Sequence, residues 1–147
     1  MYEFEYHRAG SIDEAVDLVG KASDGRYLAG GMSIVPTMKL RLAQHSDLVD
    51  LNGIDDLAGI STDGSSVTVG AMTHHEAVAA SADVQSAIPA LAALAGGIGD
   101  PHVRHRGPLG GSISNNDPAA CYPSAVLGLG ATIHTNKREI SADDFFT

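Results

Sequence analysis

Short apolar segments alternate with amphipathic segments through residues 4–51, and this alternation limits the fold more than any other feature of the chain. Ser11 and Glu14 form an S-x-x-E capping box that opens a helix, and Ser33 is predicted to cap a second one. The predicted order is strand 4–6, helix from 12, strand 26–29, helix 34–42 and strand 48–51. Strands that alternate with helices favour a parallel sheet with right-handed crossovers, so an α/β unit is expected.

The pattern changes after residue 56. Val67 and Val69 alternate with smaller or polar residues, which predicts a β-hairpin behind the polar turn 62–65. The other predicted features are a helix capped by Thr73, a helix over 84–95 that Pro89 can break, a helix with Asp117 as cap and Pro118 at its first position, and a strand over 131–135. The chain is therefore expected to form two small lobes, residues 1–55 as a βαβ unit and residues 56–147 as an α+β unit.

Charge and cysteine content exclude several functional classes. Eighteen acidic residues against nine basic ones give a formal charge of −9, which makes nucleic acid a poor partner. A small phosphorylated ligand then requires backbone N–H groups and nearby cations that offset this field locally. The single cysteine, Cys121, cannot form an intrachain disulfide or supply the thiolates of an iron–sulfur cluster.

The same features bear on location. One cysteine fits a reducing compartment. The N-terminal residues 1–10 are charged throughout, and no stretch of the chain approaches the roughly 18 apolar residues of a membrane span. A soluble, cytoplasmic protein without a membrane span is therefore expected.

The first candidate site is the glycine turn Ala29–Ser33 between a predicted strand and a predicted helix. Two glycines allow a ligand to approach the main chain closely, and a helix start offers free N–H donors that suit a phosphate. A glycine turn with no ligand is the alternative, because such turns are common before helices. The turn matches neither the G-x-G-x-x-G nor the P-loop pattern.

The second candidate site is Gly110–Ser112, which is followed by three polar residues, Asn115, Asn116 and Asp117, ahead of a predicted helix start. Its glycine amides can serve a phosphate, and the polar side chains can bind a ribityl chain or a sugar. Arg104 and Arg106, just upstream, either supply positive charge or are solvated loop residues.

Metal and hydrolytic sites find little support. His74, His75, His102 and His105 are the histidines closest to a metal-binding pattern, but their spacing does not bring three or four ligands together. No Ser-His-Asp order or paired carboxylates are evident. No metal site and no catalytic acid or base is therefore expected.

A family resemblance is carried by two segments, AGGMSIVPTMKLRL and VRHRGPLGGSISNNDPAACYPSAVLGLGA. They resemble the FAD-binding medium subunit of the molybdenum hydroxylases, the group that includes aerobic carbon monoxide dehydrogenase and xanthine dehydrogenase. The resemblance extends from FEYHRAGSIDEAV to ADDFF. It implies the FAD-binding fold of the vanillyl-alcohol oxidase and xanthine dehydrogenase (PCMH) type, in which two small α/β lobes hold FAD between them. Residues 1–55 and 56–147 would be the first and second FAD-binding lobes.

The resemblance also implies a set of cofactor-binding residues. The first motif, which wraps the pyrophosphate, corresponds to Tyr27, Leu28, Ala29, Gly30, Gly31, Met32, Ser33 and Ile34. The second corresponds to Pro108, Leu109, Gly110, Gly111 and Ser112, with further flavin contacts at Ile98, Asp117 and Cys121.

Four residues depart from the usual family pattern. Met32 replaces His, His105 replaces Asn, Pro108 replaces a hydroxyl residue and Cys121 replaces Asp, so side-chain hydrogen bonds to the flavin change while backbone contacts are retained. Cys121 is either a small buried hydrophobe or a redox-active thiol beside the flavin.

The implied function is that of an oxidoreductase subunit for electron transfer. In such enzymes a large subunit carries the molybdenum cofactor, a small subunit carries two [2Fe–2S] clusters, and electrons reach FAD last before an external acceptor takes them. Relatives continue past the DDFF segment, so the chain is expected to be an N-terminal fragment, inactive alone, with an incomplete second lobe and no C-terminal domain. The alternative is a truncated or degenerate flavin fold that serves as a non-catalytic scaffold or assembly module.

Overall fold

The first half of the chain forms a three-stranded parallel sheet with helical crossovers, in a computed structural model that describes residues 1–146. Its elements are β1 (Glu5–Arg8), α1 (Ile12–Lys21), β2 (Gly25–Leu28), α2 (Ile34–Lys39) and β3 (Asp47–Asp50). The strand order is β1–β3–β2, and β3 pairs in parallel with both neighbours. The parallel sheet expected from the alternating pattern is confirmed.

The two predicted helix caps in this half differ in outcome. Ser11 Oγ accepts a hydrogen bond from the Glu14 N–H at 3.2 Å, and the Glu14 carboxylate accepts one from the Gly10 N–H at 2.8 Å, so the capping box is present. Ser33 occupies the N-cap position of α2, but its side chain makes no capping bond, so that prediction is wrong. Its hydroxyl is therefore not used by the helix.

The second half contains two antiparallel hairpins and seven short helices among residues 55–146. A 3-10 turn, Asp55–Leu57, is followed by β4 (Ile60–Thr62), β5 (Val67–Val69), α3 (His75–Ala80), α4 (Ala82–Ala87), α5 (Pro89–Gly96), α6 (Pro101–Arg106), α7 (Leu109–Asn115), α8 (Tyr122–Gly128), β6 (Thr132–His134), β7 (Glu139–Ser141) and α9 (Ala142–Phe145). The pairs β4–β5 and β6–β7 are both antiparallel. The hairpin over 60–69 and the helix break at Pro89 are confirmed.

Several predictions for residues 100–146 are wrong. The basic segment 101–106 is the helix α6, capped by Asp100, whose Oδ1 accepts from the His102 N–H at 2.7 Å. Gly110 and Gly111 do not precede a helix but lie in the first turn of α7. The helix predicted to start at Pro118 begins instead at Tyr122, and the pairing strand β7 and the terminal helix α9 were not predicted.

Each half has its own hydrophobic cluster. The cluster of the first half centres on Ala9, Ala15, Val49 and Ile54. The larger cluster of the second half consists of Val78, Val84, Leu91, Ala92, Ala95, Ile113, Tyr122, Val126 and Ala142. Both are almost entirely aliphatic, as expected from a chain with few aromatic residues.

Thr73 connects two elements instead of capping a helix, and the predicted cap is wrong because His74 occupies the N-cap position of α3. The Thr73 hydroxyl accepts a hydrogen bond from the Gly59 N–H and donates one to the Gly59 carbonyl, both at 2.9 Å. Its own carbonyl accepts from the Leu109 N–H at 3.0 Å. Thr73 itself is only 5% exposed, whereas Gly59 lies at the surface.

We expect Thr73→Val to lower the free energy of unfolding by about 1 kcal/mol, because the Gly59 N–H loses its partner, while the Gly59 carbonyl keeps its bond from the Gly70 N–H. Chemical denaturation measures the change. Thr68→Val, at an exposed position of β5, is the matched control and should leave the midpoint nearly unaltered. Equal stability of the two variants would contradict the expectation.

Within the part of the chain that the structure describes, no helix is long and apolar enough to cross a membrane.

Candidate cofactor-binding cleft

A cleft of about 890 Å³ lies between the β2–α2 turn and the segment that runs from α5 to α8. Its volume is in the range typical of small-molecule and cofactor pockets. Of the predicted cofactor-binding residues, those that line it are Tyr27, Ala29, Gly30, Gly31, Met32, Ser33, Ile34, Ile98, Pro108, Gly110, Gly111, Ser112, Asp117 and Cys121. Leu28 and Leu109 do not line it. The two predicted glycine segments therefore face one common space.

The two glycine segments touch at Gly30. A Cβ atom at Gly30 would lie 2.7 Å from Pro108 Cδ and 2.9 Å from Gly107 Cα, and would also press on the Arg106 carbonyl. Only a residue without a side chain allows this approach. The absence of a side chain at Gly30 thus brings the first turn against the start of α7.

Gly110 and Gly111 have different roles, although they are adjacent. The Gly110 N–H donates to the Ala71 carbonyl at 2.8 Å, and a Cβ at Gly110 would lie 2.6 Å from that oxygen. A Cβ at Gly111 would make ordinary contacts, 3.4 Å to Pro108 Cγ and 3.6 Å to Ala29 Cβ. Gly110 therefore serves close backbone packing, whereas Gly111 leaves space at the cleft surface.

The first turn offers unused hydrogen-bond donors. Within residues 1–146, the N–H groups of Gly30, Gly31 and Met32 donate to no acceptor of the chain, and neither does the N–H of Gly111. Gly31 has φ +74°, a left-handed conformation that glycine adopts without steric cost. Unpaired amides from two segments on one cleft form a donor set that suits an anion.

Polar side chains lie beside these amides. Ser33, Ser112, Ser114 and Asn115 line the cleft. Asp117 also lines it, and its Oδ1 accepts a hydrogen bond from the Ala119 N–H at 2.8 Å, which holds the turn before α8. Hydroxyl and amide groups of this kind can bind the hydroxyls of a ribityl chain or a sugar.

Arg104 positions one wall of the cleft instead of supplying free charge. Its Nη1 donates to the Ile98 carbonyl at 2.7 Å, and its Nε donates to Glu76 Oε2 at 2.8 Å. The hydrogen bond from Arg104 to Glu76 holds the pKa of the Glu76 carboxyl below its ordinary value, and the charge of Arg104 is a further cause. Arg106 does not line the cleft, and among the described residues Arg26 is the basic side chain that does.

His75 and Tyr122 form a buried aromatic pair in the cleft wall. His75 is 5% exposed and lines the cleft, and its ring centroid lies 5.1 Å from that of Tyr122. Burial, with a smaller contribution from the neighbouring His74, lowers the pKa of His75 to about 4. Burial likewise raises the pKa of Tyr122 above its ordinary value. Both rings are therefore uncharged near neutral pH.

Several lining residues were missed from the sequence. They are Arg26, Leu51, Ala71, Met72, His75, Gly97, Gly99, Val103, Gly107, Ser114, Ala119 and Ala120. Ala71 and Met72 come from the link between β5 and α3, and His75 is the first residue of α3; no motif marks a site there. The His75 N–H donates to the Gly107 carbonyl at 3.0 Å, and this long-range bond brings the link to the cleft.

The histidines examined for metal binding have other partners. His102 pairs with Asp100 at 3.1 Å, and His105 Nδ1 lies 2.8 Å from the Pro101 carbonyl. Among residues 1–146, no group of three or more His, Cys, Asp or Glu side chains could hold a metal ion.

Taken together, the free amides, the neighbouring hydroxyls and the space that Gly111 leaves at the cleft surface fit a dinucleotide, and the fold and cleft define a dinucleotide-binding α/β domain. Residues 2–147 match the family model described as the FAD binding domain in molybdopterin dehydrogenase, and the chain belongs to this family. The resemblance and the fold class predicted from the sequence are confirmed, as is FAD as the cofactor of the family.

Known relatives agree with this assignment. The chain is 43% identical over 148 residues to the carbon monoxide dehydrogenase medium chain of Hydrogenophaga pseudoflava, with 97% of this chain and 52% of that protein covered. It is 28% identical over 143 residues to the xanthine dehydrogenase FAD-binding subunit of Escherichia coli O157:H7, with 92% and 48% covered. The chain spans about half the length of the curated relatives it matches.

Solved structures show the same fold. A carbon monoxide dehydrogenase from Hydrogenophaga pseudoflava, in a form that lacks the Mo-pyranopterin moiety of the molybdenum cofactor, superposes with a TM-score of 0.94 at 42% identity over 99% of this chain and 53% of that one. Quinoline 2-oxidoreductase from Pseudomonas putida 86 superposes with a TM-score of 0.91 at 32% identity, covering 96% and 51%.

Proposed function

We propose that this chain binds the FAD of a molybdenum hydroxylase in the cleft, with its diphosphate on the free amides of the first glycine turn. The observation that carries the proposal is that the unpaired N–H groups of Gly30, Gly31 and Met32 share one cleft with that of Gly111. Such donors offset the repulsion that a chain of formal charge −9 exerts on phosphates. The Gly110 amide takes no part, because it is bonded to Ala71.

The cofactor would lie between two lobes, residues 1–55 and 56–147. The hydrophobic cluster around Val49 supports the first lobe, and the cluster around Val78 supports the second. In this proposal the predicted cofactor-binding residues of both lobes contact FAD, except that Leu28 and Leu109 act by packing, since they do not line the cleft.

We place the chain in a hetero-oligomer with a molybdenum-cofactor large subunit and a [2Fe–2S] small subunit. The similar proteins are named as medium chains and FAD-binding subunits, which supports a division of labour among chains. The single cysteine is consistent with clusters held elsewhere. FAD would pass electrons from the partner's clusters to an external acceptor, while this chain binds and orients it. A cytoplasmic location stays a prediction.

FAD titration followed by quenching of flavin fluorescence tests the proposal, and we expect Gly111→Leu to weaken binding by about tenfold or more. A Cβ at Gly111 makes only ordinary contacts, so we expect the rest of the leucine side chain to extend into the cleft and the fold to be kept. Gly20→Leu, at an exposed position of α1 with no atom within 4 Å of a Cβ, is the matched control and should bind as the unaltered chain does.

The alternative function is a scaffold that binds no cofactor. It would be supported if the unaltered chain failed to quench FAD while circular dichroism showed it folded. Equal affinities of the Gly111→Leu and Gly20→Leu variants would mean that FAD binds elsewhere.

A further inference from the structure

A chain of hydrogen bonds joins β1 and β3 to the first glycine turn. The Tyr6 hydroxyl of β1 donates to Asp50 Oδ2 of β3 at 2.5 Å. Asp50 Oδ1 accepts from the backbone N–H of Asn52 at 2.9 Å and from its Nδ2 at 2.6 Å. The same Nδ2 donates to the carbonyl of Ala29, the residue that follows β2, at 3.0 Å. The Asn52 side chain therefore connects the end of β3 with the start of the turn.

The two acceptors determine which end of the Asn52 amide faces them. A carboxylate and a carbonyl only accept hydrogen bonds, so the NH2 group faces both of them and uses one hydrogen for each. Burial alone would raise the pKa of Asp50, but the bonds from Tyr6 and Asn52, together with the charge of Arg8, keep that pKa below its ordinary value. Asp50 is 8% exposed and holds Asn52 as a carboxylate at neutral pH.

The bond to Ala29 determines the direction of the next amide. In a trans peptide the carbonyl and the N–H point in opposite directions, so a carbonyl held toward Asn52 leaves the Gly30 N–H directed away from Asn52. Gly30 lines the cleft, whereas Asn52 does not. In the part of the chain that the structure describes, the Gly30 N–H has no acceptor. It is thereby left for a ligand in the cleft.

The turn needs such a restraint because its own backbone does not supply one. The peptide between Ala29 and Gly30 rotates through ψ of Ala29 and φ of Gly30, and glycine accepts either sign of φ. Gly31, the next residue, already has φ +74°. Rotation of this peptide by half a turn would replace the N–H with a carbonyl oxygen, which repels a phosphate.

We propose that Asn52, held by Asp50, is a positioning residue for the diphosphate: it fixes the Ala29–Gly30 peptide with its N–H available to the ligand. The inference rests on the proposed FAD cleft. Asn52 itself contacts no cofactor and acts through the Ala29 carbonyl. Groups that orient a binding atom from behind in this way set how precisely the site is formed.

The test is Asn52→Leu, with FAD affinity measured by quenching of flavin fluorescence. Leucine has nearly the shape of asparagine but no donor, and it keeps water from taking the place of the amide. We expect the Kd to rise about tenfold, the effect of one charge-assisted hydrogen bond to phosphate. Asn136→Leu, at an exposed position between β6 and β7 that does not line the cleft, is the matched control and should leave the Kd unaltered.

Nuclear magnetic resonance of chains labelled with 15N glycine separates positioning from a general loss of structure. Each protein is saturated with FAD, so that a difference in affinity does not affect the comparison. In the unaltered chain FAD should shift the N–H resonances of both Gly30 and Gly111, because both amides are unpaired on the cleft. In Asn52→Leu the Gly111 shift should be retained and the Gly30 shift reduced.

The outcomes distinguish this inference from the proposed function. An Asn52→Leu variant with the Kd of the unaltered chain would overturn the inference and leave the proposed function standing. A raised Kd with an unaltered Gly30 shift would overturn it too, because the loss would then arise elsewhere than at this amide. Failure of the unaltered chain to bind FAD would count against the proposed function itself, and against the inference with it.

Discussion

Gly30→Val should separate the two glycine segments, lower the free energy of unfolding by about 3 kcal/mol and weaken FAD binding roughly a hundredfold. The added Cβ would lie 2.7 Å from Pro108 Cδ and 2.9 Å from Gly107 Cα, so the backbone itself must move. The movement displaces the two glycine segments that line the cleft. Thermal or urea unfolding measures the first effect, and FAD titration measures the second.

Gly128→Val is the control, because a Cβ at this helical position of α8 has no atom within 4 Å. Its stability and FAD affinity should match those of the unaltered chain. Gly110→Val, which would press on the Ala71 carbonyl, should resemble Gly30→Val in stability. A Gly30→Val variant that binds FAD normally would show that contact between the segments is not needed for the site.

The protein should lose up to about 3 kcal/mol of stability between pH 6.5 and pH 4 through His75 alone. The pKa of His75 is lowered from 6.5 to about 4 in the folded state, mainly by burial. Above pH 6.5 the imidazole is neutral in both states. As the pH falls below 6.5 the unfolded chain takes up a proton that the folded chain resists, so the free energy of unfolding falls, and the loss is complete below about pH 4.

Urea denaturation at a series of pH values, on the unaltered chain and on His75→Gln, isolates this contribution. Carboxylates whose pKa values are lowered, such as Asp24 and Asp47, lose their stabilising effect at still lower pH in both proteins. His102→Gln is the matched control, because the His102 side chain is 94% exposed, and it should keep the pH dependence of the unaltered chain. A His75→Gln curve parallel to that of the unaltered chain would contradict the assignment.

The elements predicted correctly are those that local interactions specify. The capping box at Ser11 and Glu14 starts α1 through bonds within four residues, and alternating valines mark the hairpin at β5. The parallel sheet followed from the order of its elements, because crossovers between strands of this length leave few other arrangements.

The elements that were missed depend on distant partners. Residues 101–106 include a proline, a valine and two histidines, and residues 109–115 include two glycines, two serines and an asparagine, all of which are weaker helix formers than alanine or leucine. Bonds from His75 to Gly107 and from Gly110 to Ala71 hold these segments in place, and both join residues more than thirty positions apart. Similarly, Thr73 resembles a helix cap in sequence but bonds to Gly59.

The sequence by itself determined the family, the parallel first half and the two glycine segments, because motifs and hydrophobic periodicity are properties of neighbouring residues. Only the tertiary structure decided the different roles of the two neighbouring glycines. The Gly110 N–H is bonded to the Ala71 carbonyl, while Gly111 lines the cleft with an unpaired N–H. It also decided that His75 is buried and that Cys121 is open. The physical reason is that exposure and free hydrogen-bonding groups are set by what packs against a residue, and here those neighbours come from distant parts of the chain.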